Sequence, residues 1–316
     1  MCVSSSVQFY PHRSCSRLLN AVLVVLWAPL AYAHGDAASA ARTAAETWPA
    51  AALMIAGLFY ARGLYRLARS ARSHPTYVIR CGVMFALGWF ALTVALASPF
   101  IASTRAVFSA HMVQHELLMV VGAPLMVLGR PLAIWTWALP RNWRPAVART
   151  FREKKVRTVW RFMSAPVAAS VVHAGAIWVW HVPVLFERAE VSLAVHTLQH
   201  CAFLFSALLL WWAVLKPRDQ HSLAAVLCLF MTMVHTGALG VLLTFSGDVW
   251  YPLSTSGAAH WGLTPIEDQQ LGGLIMWVPG GVPYVVAALM LAARWLSSHH
   301  AAPSDSRDLT PRPQSS

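Results

Sequence analysis

The sequence predicts an all-α polytopic membrane protein, a bundle of about seven transmembrane helices after a signal peptide. Three observations carry that class. Of 316 residues, 57% are hydrophobic and 11% charged, against about 25% charged in a typical soluble domain. The apolar residues come in runs of about 20, the length that crosses a bilayer core. The basic residues, which set a formal charge of +12, gather in alternate connections between those runs, as the positive-inside rule requires. That distribution accounts for the charge, so the expected contact is membrane lipid and not nucleic acid.

The elements follow in chain order. Residues 1–33 read as a signal peptide: Arg13 and Arg17 precede the apolar stretch Leu18 to Leu30, and Ala31-Tyr32-Ala33 makes a cleavage triplet. Its apolar core is too short to span at about 20 residues. Residues 34–47 form an external linker, and a seven-helix transmembrane domain occupies 48–298. Spans are expected near 48–67, 77–99, 107–129, 164–186, 192–215, 221–246 and 269–296. Arg62 and Arg66 close the first span and are expected to snorkel to the interface. The 130–163 connection is strongly basic, with Glu153 its only acid, whereas the 247–268 loop holds Asp248, Glu267 and Asp268 and no Lys or Arg. The amino end is therefore expected outside and the carboxyl end in the cytoplasm. Within the basic connection, Leu132 to Leu139 and 146–161 suit short interfacial helices, the second against anionic lipid. Residues 299–316 read as a disordered cytoplasmic tail. Cys81, Cys201 and Cys228 fall singly in apolar runs, so no disulfide is expected.

Histidines carry the chemical signal. Ionisable side chains are costly in hydrocarbon, so an intramembrane histidine is a functional candidate. His111 and His115 are four apart in one span, and His196 and His200 are four apart in another. Four-residue spacing sets each pair on one helical face. Both spans run inward from the outer surface, so each pair lies about 6–12 Å deep. His181 lies near the outer end of the fourth span, His173 near mid-membrane, and His235 about 16 Å below the outer end of the sixth. The candidate metal ligands are His111, His115, His181, His196, His200 and His235. Imidazole suits Cu, Zn, Fe and Ni alike, and Met112, Met119, Met231, Met233 and Met276 add thioethers that lean toward copper. Glu116 reads either as a proton acceptor or as a headgroup-facing acid. Asp268 opens the seventh span, where the helix dipole favours it as a cap.

At these residues the chain resembles a known family, the seven-helix assembly factors of caa-type cytochrome c oxidase (the CtaG family). The resemblance rests on His111-Met112-Val113-Gln114-His115, Gly122-Ala123-Pro124, Gly129-Arg130-Pro131, Trp180-His181-Val182-Pro183 and His196-Thr197-Leu198-Gln199-His200. It continues in Asp268-Gln269-Gln270-Leu271 and Met276 to Gly281. It implies a bacterial inner (plasma) membrane protein that helps build an active oxidase, with cytochrome c oxidase subunits as partners and copper as its cargo. Glu116 departs from the family pattern, where an apolar residue is expected. A non-enzymatic copper-binding assembly factor is the leading reading. The alternative is a bis-histidine haem protein acting as a haem or quinone oxidoreductase; a metal or proton transporter and a scaffold with structural histidines are further readings. No Gly-rich phosphate loop, nucleophile constellation or C-x-x-C motif is present, which places hydrolases, ATPases and thiol chaperones low.

Overall fold

The computed structural model describes residues 37–70, 74–97, 106–215 and 222–300. The expected signal peptide and the tail beyond residue 300 lie outside them. No strand occurs among the described residues. The helices are α1 (Ala37–Ala68), α2 (Pro75–Ala97), α3 (Phe108–Leu128), α4 (Pro131–Ala138), α5 (Arg144–Arg152) and α6 (Lys154–Met163). They continue with α7 (Pro166–Trp180), α8 (Pro183–Val191), α9 (Leu193–Leu215), α10 (Ser222–Thr244) and α11 (Pro265–His300).

Five of them are long and apolar enough to cross a membrane: α2, α3, α9, α10 and α11. The α6–α7 pair, bent by 65°, makes a sixth if taken as one span. That is fewer than the seven spans expected from sequence. Two differences explain it. The span expected over 164–186 breaks at His181, because Pro183 lacks an N–H and its ring clashes with the preceding turn, so it starts a new helix. α1 has 32 residues but is not among the apolar spans, and it begins at Ala37, inside the expected linker. The alanines there have the highest helix propensity of any residue.

Arg62 and Arg66, expected at the interface, close the first helix against α4. Arg62 Nε donates to the carbonyl of Ala138 (3.2 Å), and Arg66 Nη1 donates to those of Ala138 (2.9 Å) and Leu139 (3.0 Å). With Arg144 Nη2 on Trp137 O (2.6 Å), they satisfy the orphan carbonyls at the negative end of α4. The basic connection does fold into short helices, α4 to α6, as its composition suggested.

The bundle closes tightly where small residues meet. A Cβ on Gly240 would stand 2.7 Å from Gly273 O, and one on Gly273 would stand 2.6 Å from Gly240 O. α10 and α11 therefore approach almost backbone to backbone, the usual geometry of small residues at membrane helix crossings. α3 carries a π-helical stretch, Leu117–Gly122. The looser ladder there leaves the Met119 carbonyl to accept the Trp211 indole N–H from α9 at 2.9 Å. Phe108, Phe186, Phe203, Leu210 and Tyr251 are all sealed at the centre.

Candidate metal centre

The site is built at the end of the bundle where α3 and α9 begin. α3 has no side-chain cap from its own Val107. Asp268 of α11 supplies one instead. Its Oδ2 accepts from Phe108 N (2.7 Å), and its Oδ1 accepts from Ser109 N (3.0 Å) and Ser109 Oγ (2.6 Å). A buried carboxylate at a helix N-terminus makes charge-assisted bonds with the positive end of the dipole. The expectation that Asp268 caps its own helix is thus corrected: it fixes the helix that carries His111 and His115. Gln269 accepts from Trp250 N (2.6 Å) and donates to Asp248 O (3.0 Å), and Gln270 donates to Ser246 O (3.2 Å). Together these residues staple the acidic loop over the site. From that loop Tyr251 stacks on Phe108 at 4.8 Å and donates its hydroxyl to the carbonyl of His181 at 2.7 Å.

Five histidines converge beneath. His111 and His115 bring their Nε2 atoms to 3.0 Å. The ring of His111 lies 5.5 Å from that of His196 and 5.9 Å from that of His200. His115 is 5.4 Å from His200 and 6.1 Å from His181. Phe186 and Phe203 wall them in, at 5.1 Å from His111 and 4.6 Å from His115. His111, His115, His181 and His200 are buried, and His196 is half-buried.

Two donor groups have ligand atoms within 4.8 Å of one another: His111, His115 and His200, and His111, Glu190 and His196. Glu190 was not among the ligands expected from sequence. It sits on α8 with its Oε1 3.0 Å from His111 Nδ1, and is 5% exposed. The clue was the shortness of the α8–α9 junction, which holds Glu190 over the start of the helix bearing His196.

The protonation pattern suits ligation. His181 Nδ1–H donates to the Ile177 carbonyl at 2.7 Å, which leaves the lone pair on Nε2. That nitrogen is buried without a partner. Metal-binding imidazoles are oriented in this way by a hydrogen bond from their other nitrogen. His115 Nδ1, His200 Nε2 and both oxygens of Glu190 are also buried without hydrogen bonds. Each such group costs about 1–3 kcal/mol when nothing satisfies it. Nitrogens bound tetrahedrally at about 2.0–2.1 Å lie about 3.3–3.4 Å apart, so the 3.0 Å between His111 and His115 is already close to ligand spacing.

The other polar residues fall elsewhere. His235, expected as a ligand, is in neither donor group; it is half-buried on α10 and interacts electrostatically with His173. His173 has both nitrogens engaged, Nδ1 with Ser206 Oγ (3.0 Å) and Nε2 with Tyr284 OH (3.4 Å). Met112, Met119 and Met276 are packed in the hydrophobic core, and Met231 faces out, 55% exposed. Glu116 does not face the headgroups. Its carboxylate fills the space left by Gly280, where a Cβ would stand 2.8 Å from either oxygen.

The chain is similar to known proteins over most of its length. The chain is 24% identical over 265 residues to an uncharacterized protein of Mycobacterium leprae, an alignment covering 79% of this chain and 39% of that one. Uncharacterized proteins of Mycobacterium bovis and Mycobacterium tuberculosis are each 27% identical over 253 residues, covering 78% of this chain and 38% of theirs. The chain therefore spans about two fifths of the length of these relatives. No solved structure matches it. Residues 58–298 match the model of the cytochrome c oxidase caa3 assembly factor family. That stretch holds the histidine pairs, Glu190 and the Asp268 cap, and the chain belongs to the cytochrome c oxidase caa3 assembly factors.

Proposed function

We propose that the protein serves oxidase assembly by holding copper at the histidine cluster for transfer to an oxidase subunit. The observation that carries the reading is the convergence of five imidazoles and one carboxylate with several buried donor atoms lacking partners. Imidazole and carboxylate together suit Cu, Zn, Fe and Ni, and the client, a cytochrome c oxidase, favours copper among them. With the core methionines spent on packing, thioether donors add no support. The rings touch edge to face at 4.3–6.1 Å, which favours ions between them over a haem plane. The chain itself performs no bond-making step in this reading: it binds, shields and releases.

The setting is a bacterial inner membrane, with the cluster near the outer face, the amino end outside and the carboxyl end inside. The basic α4–α6 connection supports that orientation through the positive-inside rule. Reporter fusions should read cytoplasmic at residue 150 and external at residue 258. The function is tested by loading the purified full chain anaerobically with Cu(I) and measuring retained metal, alongside oxidase activity in cells lacking the gene. Wild type should retain copper and restore activity, and His200→Ala should retain less copper and fail to restore activity while still accumulating in the membrane. Restoration of activity by a chain that retains no copper would overturn the reading.

A further inference from the structure

The two donor groups share one residue, His111. His111 Nε2 faces His115 Nε2 at 3.0 Å, and His200 completes that donor group. His111 Nδ1 faces Glu190 Oε1 at 3.0 Å, and His196 completes the other. The lone pairs of an imidazole ring diverge, so a single ion cannot take both nitrogens. The carboxylate, moreover, is close to His111 Nδ1 but not aligned to accept a hydrogen bond from it, and both its oxygens are left without partners. A buried carboxylate and imidazole left without hydrogen bonds are an expensive arrangement, and a cation between them would satisfy both.

We propose that the centre is binuclear, with His111 bridging two copper ions. One ion is held by His111 Nε2, His115 and His200, and the other by His111 Nδ1, Glu190 and His196. The inference rests on the copper-holding function above and deepens it. The reaction balances simply. A neutral imidazole carries one N–H; binding an ion at each nitrogen displaces that proton to solvent, and no electron moves. With Cu(I), two positive charges then meet one carboxylate and one deprotonated ring. The centre is neutral, as its low-dielectric surroundings favour. The two subsites also differ in donor type. The first is all-imidazole and lies deeper on α3 and α9. The second has an oxygen donor from α8 and lies at the start of those helices, next to His196, which is half-buried. That places the second ion nearer the surface, from which it would be handed on first.

The test counts ions in the full chain purified in detergent. Anaerobic titration with Cu(I) should give two ions per chain in wild type. One ion should remain in Glu190→Gln and in His196→Ala, which strike the outer subsite from two different helices. His111→Gln, which cannot bridge, should hold no more than one. In a second arm, wild type loaded with Cu(II) should show an electron paramagnetic resonance spin count well below its metal count, because the shared ring couples the two spins. A wild-type stoichiometry of one, two ions retained by His111→Gln, or two Cu(II) ions counted in full would each overturn the bridge. One ion in wild type that is lost in His115→Ala removes the bridge and leaves the copper-holding function standing. No copper in wild type removes both.

Discussion

His115, in the cluster between α3 and α9, and His173, midway along α7, are sealed to the same degree, 1% and 0% exposed. Burial therefore does not distinguish them. Hydrogen bonding does. His173 is tied at both nitrogens, to Ser206 of α9 and Tyr284 of α11, and so stitches three helices together. His115 Nδ1, His181 Nε2 and His200 Nε2 are left with donors or acceptors unused, next to a carboxylate in the same condition. The same residue type is a packing group in one place and a candidate ligand in the other, and the difference lies in what its second nitrogen meets.

The comparison can be broken most sharply at the ligands. His115→Ala and His200→Ala should each lower copper affinity by more than the about 10–100-fold that loss of an outer partner costs, read by competition with a Cu(I) chelator. Wild-type affinity in either variant would put the ligands elsewhere. Next in size is pH. Bridging releases the ring proton of His111, so affinity for the second ion should fall about tenfold for each unit by which the pH is lowered. A flat profile between pH 7 and pH 5 would count against the bridge. Asp268→Ala removes the cap of α3 and should cost about 1–2 kcal/mol of stability, seen as a lower melting temperature, with weaker copper retention because His111 and His115 lose their fixed start. The smallest effect should come from Tyr251→Phe. It frees the His181 carbonyl at a cost of about 1 kcal/mol and should leave copper stoichiometry unchanged.

Much of this was legible in the sequence. The four-residue spacing of His111 with His115 and of His196 with His200 placed each pair on one face, and the expected entry of both spans from one side set them at one depth. His181 was expected near that same side, at the end of the fourth span. Three features were not legible. The break at His181 was hidden because a proline in an apolar run reads equally as a kink or an end. Glu190 was not among the expected ligands, because its value depends on α8 folding back over the cluster, a tertiary fact. His235 shares the apolar setting of the cluster, and both its nitrogens are buried without hydrogen bonds, but its helix pairs with α11, where Gly240 meets Gly273, and it is in neither donor group. Depth can be counted along a helix; the azimuth of one helix against another cannot.

The most direct test sets the two kinds of histidine against each other in one assay. His115→Ala and His173→Ala chains are purified in parallel, loaded with Cu(I), and compared for metal content by mass spectrometry and for thermal stability. The account predicts that His115→Ala holds less copper than wild type with its melting temperature little changed. It predicts that His173→Ala keeps its copper and loses about 1–3 kcal/mol of stability, since Tyr284 loses its ring partner and Ser206 keeps only the Phe203 carbonyl. The reverse pattern, copper lost with His173 and kept without His115, would contradict it.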